Sequence, residues 1–174
     1  MSDAPGPDIL PSRRDAGGST PFFGQYQGEG TLKTTKRSMD LAQKAGLIVK
    51  AALDKQAYGA VVLDVSRLCS YTDRIVIMHG TSTRQVQAIA QNVRETLKKA
   101  GEIPLGFEGE RDSQWLVVDF GDVVVHVFYE PMRAFYDLEG IWADAARAQV
   151  QETQGDVRIV WPERSKQPEA VGLL

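Results

Sequence analysis

Trp115-Leu-Val-Val-Asp-Phe-Gly-Asp-Val-Val-Val-His-Val-Phe-Tyr-Glu130, with Phe135-Tyr-Asp-Leu-Glu-Gly-Ile-Trp142 close behind it, is the stretch from which the fold is read. Gly121-Asp122 between two β-branched runs is a turn signal, so residues 115–120 and 123–128 form a hairpin. Side chains alternate across a strand, which puts Trp115, Val117 and Asp119 on one face and Leu116, Val118 and Phe120 on the other. The aliphatic and Phe side chains suit a core. That leaves Trp115 beside an acid on an outer or edge face, where a large flat aromatic serves as an interface anchor. The alternative keeps Trp115 at the rim of the core and makes Asp119 a turn residue. Tyr136 and Trp142 carry the same two readings.

After the hairpin, Pro131 opens a helical segment that runs to about Gln149, with Gly140 as its weak point. Before the hairpin, Leu41, Ala45, Ile48 and Ala52 recur at helical spacing, predicting a helix over 39–57 capped by Ser38. Ala60–Val65 and Arg74–His79 are apolar runs suited to buried strands. Ser82-Thr-Arg-Gln85 is a capping-box pattern, opening a helix with Val86, Ile89, Ala90, Val93 and Leu97 as its apolar stripe and Gly101 as its stop. Ile103–Phe107 reads as a short strand. The expected order is α-β-β-α-β-β-β-α, an α/β chain of the α+β type with helices on a mixed five-stranded sheet. Val157-Arg-Ile-Val-Trp161 fits either an added edge strand or a tail segment docked by Trp161.

Residues 1–37 are rich in Pro, Gly, Ser and Thr and poor in aliphatics, so they are expected to be a disordered tail. Asp3, Asp8 and Asp15 argue against an organellar transit peptide. Met39 stands where the ordered pattern begins, which suggests start-site choice as the origin of the tail. Residues 38–149 make one domain, and 150–174 a C-terminal extension.

The 174 residues are 43% hydrophobic and 25% charged, with a formal net charge of -3. One globular core plus tails fits these figures. An acidic balance gives no reason to expect direct, sequence-specific nucleic-acid binding, which rests on many Lys and Arg contacts. The single Cys69 excludes an intrachain disulfide and a multi-cysteine zinc site. No apolar run approaches the roughly twenty residues of a membrane span. A soluble, cytoplasmic protein is expected.

Chemistry finds little support in the residues. Cys69 with His79 or His126 would need a third, orienting group, and His126 shares a strand face with Val124 and Phe128, as a structural histidine does. His126 and Glu130, four apart on a strand, lie too far from each other for one metal ion. The most serious enzymatic alternative is metal-dependent nucleotidyl transfer, with Gly80-Thr-Ser82 at the phosphates and Glu108, Glu110 and Asp119 holding metal. Gly109 between two acids reads more simply as a loop. No catalytic residue, metal or cofactor is expected.

Leu63-Asp-Val65, Thr72-Asp73, Gly80-Thr-Ser-Thr-Arg-Gln-Val-Gln-Ala-Ile-Ala90, Glu108-Gly109, Trp115-Leu-Val-Val-Asp119, Gly121-Asp-Val-Val-Val-His126 and Arg133-Ala-Phe-Tyr-Asp-Leu-Glu139 with Trp142 resemble the ribosomal silencing factor family, also called Iojap. The resemblance spans about residues 40–148. It implies a nucleotidyltransferase-like fold without that activity, and a partner: ribosomal protein fourteen of the large ribosomal subunit, at the face where the subunits meet. Occupying that face would block subunit joining and repress translation when nutrients run short. The family's partner-facing positions fall here on Trp115, Leu116 and Asp119, and on Tyr136, Leu138, Glu139 and Trp142. Alternation turns Leu116 away from Trp115. Arg74-Ile75 replaces the aromatic pair common in the family after Thr-Asp. An exposed aromatic face can also pair with itself, so a homodimer is expected of the free protein.

Overall fold

The computed structural model describes residues 39–153 and 155–162. The expected N-terminal tail and the Ser38 cap lie outside that range. Helix α1, Leu41–Leu53, is shorter than the 39–57 read from spacing, and Asp40 caps it by accepting from the Ala42 amide at 3.2 Å. Strands β1 (Tyr58–Asp64) and β2 (Arg74–Gly80) follow, then α2 (Thr83–Lys99), β3 (Gly106–Glu108), β4 (Trp115–Asp119) and β5 (Val123–Tyr129). The chain then forms α3 (Glu130–Tyr136), α4 (Leu138–Ile141), β6 (Ala146–Thr153) and β7 (Asp156–Val160).

The sheet is mixed, but it has seven strands rather than five, in the order β3-β4-β5-β2-β1-β6-β7. Among the described residues only β2 and β5 run parallel. The two unforeseen pairings lie beyond β1. Ala146–Ala148 pair with Val62–Asp64, and Gln149–Thr153 pair with Asp156–Val160. A helix to Gln149 is thus replaced by a strand that crosses the 149/150 boundary. Its Ala, Arg, Gln and Glu residues favour a helix locally, but the unpaired backbone groups on the edge of β1 need partners, and the strand supplies them. The 157–161 segment satisfies both of its readings: β7 is an edge strand, and the Trp161 ring lies 4.8 Å from the Arg74 guanidinium.

The helical segment after Pro131 breaks at Asp137, not Gly140. Asp137 adopts the left-handed conformation (φ 40°, ψ 52°), which Asp tolerates because its short carboxylate can bond locally. Here Oδ1 accepts from the Gly140 amide at 3.2 Å and caps α4.

Helices α1 and α2 cover one face of the sheet. The stripe read for α2 is buried as expected, Val86, Ile89, Ala90, Val93 and Leu97, against Leu116, Val118, Val125 and Val127. Within this layer Lys44 is 2% exposed and held by Glu102 at 2.6 Å and by both oxygens of Asp122 at 2.7 and 2.8 Å. The capping box forms only by half. Ser82 Oγ accepts from the Gln85 amide, while Gln85 Oε1 takes the Thr81 amide and its Nε2 donates to the Lys55 and Gln56 carbonyls. The opposite face carries a smaller apolar cluster, Leu63, Val65, Ile75, Ile77 and Phe128, roofed by the α3–α4 segment.

Candidate functional site

Trp115 and Phe128 are register partners on β4 and β5, and their rings stack at 4.9 Å. Tyr136 of α3 comes down on Trp115 at 4.8 Å, and Phe135 meets Tyr136 edge-on at 5.1 Å. Such offset and edge contacts add to plain burial because each ring's positive edge faces a neighbour's negative face. On the diagonal of the same strand pair, the Trp115 indole N–H donates to His126 Nδ1 at 3.1 Å. Indole only donates, so Nδ1 must be unprotonated and the ring's proton sits on Nε2. Burial drives the pKa of His126 down to about 3, and the ring is neutral at physiological pH.

The roof is held by Arg133. Its Nε and Nη2 grip Glu139 through two 3.0 Å bonds, while Nη1 donates to the Gly59 carbonyl and to His79 Nδ1, both at 2.8 Å. Arg147 of β6 adds a third bond to Glu139 at 3.1 Å. Hydrogen bonding from Arg133 is the main reason the Glu139 carboxyl lies below the usual range. One side chain of α3 therefore fastens α4, β1 and β2 together, a use that suits the planar fork of Arg.

The seven sequence-expected residues are not equivalent. Trp115, Tyr136, Leu138 and Trp142 come together, each half-buried against the Leu63, Ile75, Ile77 and Phe128 cluster. Glu139 joins them through the Arg133 fork. Asp119 lies further along the Trp115 face and accepts from the Gly121 amide at 2.7 Å, so it closes the hairpin turn. Leu116 is fully buried beneath, on the α1 and α2 side. The large outward hydrophobic residues of the roof are two that sequence reading missed, Phe135 and Ile141, which are 75% and 67% exposed. The signal was present: each adjoins an inward aromatic, Tyr136 or Trp142, and consecutive helical residues do not face the same way.

Glu108 stands opposite Val117 on the edge strand, whereas Asp119 is opposite Gly106. Among the described residues no group of three or more His, Cys, Asp or Glu gathers as a metal site would require. At the start of α2, the Thr81 and Gln85 amides already bond to side chains of this chain. The Cys69 thiol donates to the Thr72 carbonyl at 3.3 Å. No helix among the described residues is long and apolar enough to cross a membrane.

Residues 38–171 match the family model described as ribosomal silencing factor during starvation. The ribosomal silencing factor of Bacillus subtilis is 40% identical over 108 residues, covering 61% of this chain and 92% of that protein. The chloroplastic protein Iojap of Arabidopsis thaliana is 34% identical over 104 residues, covering 59% of this chain and 43% of that one. A crystal structure of a Chromobacterium violaceum protein superposes with a TM-score of 0.59 at 38% identity, over 60% of this chain and 88% of that one. With more than half its length matched, this chain belongs to the ribosomal silencing factor family.

Proposed function

We propose that this protein binds the large ribosomal subunit through ribosomal protein fourteen, with the Trp115 and α3–α4 face as its docking surface. Bound there, it keeps the small subunit from joining and represses translation under nutrient limitation. The observation that carries this reading is the exposed Phe135 and Ile141 on a roof fixed by the Trp115–Tyr136 stack and the Arg133 fork. Exposed apolar side chains on a pre-ordered frame lose little conformational freedom on binding, as interface anchors require. Trp115, Tyr136, Leu138 and Trp142 supply the ring and rim of that surface, Asp119 an acid for basic groups on the partner, and Glu139 and Leu116 the support behind it.

In this reading steric occupation is sufficient, so the protein is a non-enzymatic, cytoplasmic factor that works without a cofactor. Its core is of the nucleotidyltransferase-like type put to a binding use. The same apolar face pairs two copies in the free protein.

Sedimentation of purified ribosomal subunits with and without the protein tests the reading. The expected result is protein in the large-subunit fraction and fewer joined ribosomes. Normal joining, with the protein left at the top of the gradient, would refute it.

A further inference from the structure

Arg133 reaches His79 in a geometry that only one protonation state allows. A guanidinium has no acceptor, so at 2.8 Å His79 Nδ1 must accept from Arg133 Nη1, and the ring's proton must be on Nε2. A second proton has only Nδ1 to go to. There it would point at a donor of the same charge and displace the guanidinium.

The surroundings of His79 are few and identifiable. Tyr58 of β1 stacks on the ring at 5.9 Å, and the register partner of His79 on β5 is Phe128, which does not titrate. Arg133 and Glu130 face it from α3, and Glu139 from α4. Burial first, then the Arg133 charge, hold His79 below the ordinary histidine range, with the two carboxylates pulling the other way. The ring is only half-buried, so water can deliver the proton. The Gly59 carbonyl shares Arg133 Nη1 with His79, so displacing that nitrogen breaks both of its bonds to the sheet and leaves Glu139–Arg147 as the charged tie beside the Trp115–Tyr136 ring contact and the apolar packing on Phe128.

We propose that His79 and Arg133 form a proton-sensitive clamp on the α3–α4 segment. With His79 neutral, the clamp is closed and the docking face is set; protonation of Nδ1 opens it and weakens large-subunit binding. The coupling to binding rests on the reading that α3–α4 faces the subunit. Arg133 is thus a positioning residue, acting through Tyr136, Leu138 and Trp142.

Two readouts on the full-length protein test this from about pH 8 down to about pH 5, with the His79 ring signals followed through the titration to mark where this histidine, held below the ordinary range, takes up its proton. One is the Trp142 indole N–H resonance of the free protein. It should shift together with the His79 ring in the wild type and stay still in His79→Gln, whose amide oxygen accepts from Arg133 without titrating. Arg133→Lys, which keeps the charge but loses the fork, should uncouple the Trp142 signal from the His79 ring. The second readout is affinity for purified large subunits, which should fall by about fivefold toward acid in the wild type relative to His79→Gln. A Trp142 signal indifferent to His79, or parallel binding profiles, would overturn the clamp. A Trp142 signal that follows His79, with no binding to large subunits at any pH, would overturn the docking reading and leave the clamp supported.

Discussion

The indole N–H of Trp115 donates to Nδ1 of His126 at 3.1 Å, tying the half-exposed aromatic of β4 to a buried, neutral histidine on β5. That bond exists only while His126 is unprotonated. Its pKa in the folded chain is lowered from 6.5 to about 3, so on acidification the unfolded chain takes up this proton first. The stabilisation from neutral His126 is complete above about pH 6.5 and is lost as pH falls toward 3. At about pH 5 the loss is about 2 kcal/mol, from 1.36 kcal/mol per pKa unit over about 1.5 units. Urea titrations at about pH 7 and about pH 5 measure it, and His126→Phe should flatten the difference by that amount.

Trp115 is a support for the fold as well as a contact. Trp115→Ala removes the stack on Phe128 and Tyr136 and should cost about 2 kcal/mol of stability, less than a fully buried aromatic because part of the ring is already in water. Trp115→Phe keeps a ring on Phe128 but leaves His126 Nδ1 without its donor, at a cost of about 1 kcal/mol. Denaturation curves for the two variants separate stacking from hydrogen bonding.

Lys44 is the other buried polar dependence. Burial alone would lower its pKa, but hydrogen bonds and charge from Asp122 and Glu102 outweigh that and raise it above the ordinary lysine value. The ion is therefore kept, and Lys44→Ala should cost about 2 kcal/mol, less than for a fully buried pair, by taking the shared cation from the part-exposed carboxylates of Asp122 and Glu102. Because the folded pKa is the raised one, this contribution is whole at neutral pH and fades only above the lysine range. A denaturant midpoint lowered at neutral pH checks it.

The parts of the fold legible in the sequence were those where one local rule agrees with packing. The β4–β5 hairpin was written in Gly121-Asp122, whose Gly sits at φ 85°. The α2 stripe was written in Val86, Ile89, Ala90, Val93 and Leu97. What could not be read were features decided by distant partners or by a local cap that competes with helix continuation. Ala146–Thr153 is a strand because β1 offers it an edge, not because its residues prefer one. Asp137 breaks the roof because its carboxylate can cap α4 from a left-handed backbone. In the site, alternation separated Trp115 from Leu116, but it was silent on Arg133, whose partners Gly59, His79 and Glu139 come from three elements.

The least ambiguous reporters of the docking face are Phe135 and Ile141. At 75% and 67% exposure, their truncation should change stability by no more than about 0.5 kcal/mol, the usual range for surface substitutions. The measurement is equilibrium binding of a Phe135→Ala/Ile141→Ala variant to purified large ribosomal subunits, beside a thermal melt of the same sample. An unchanged melt with affinity weakened by about 2 kcal/mol, roughly thirtyfold, is the predicted result. A folded variant that binds as tightly as the wild type would contradict the assignment of this face to the ribosome.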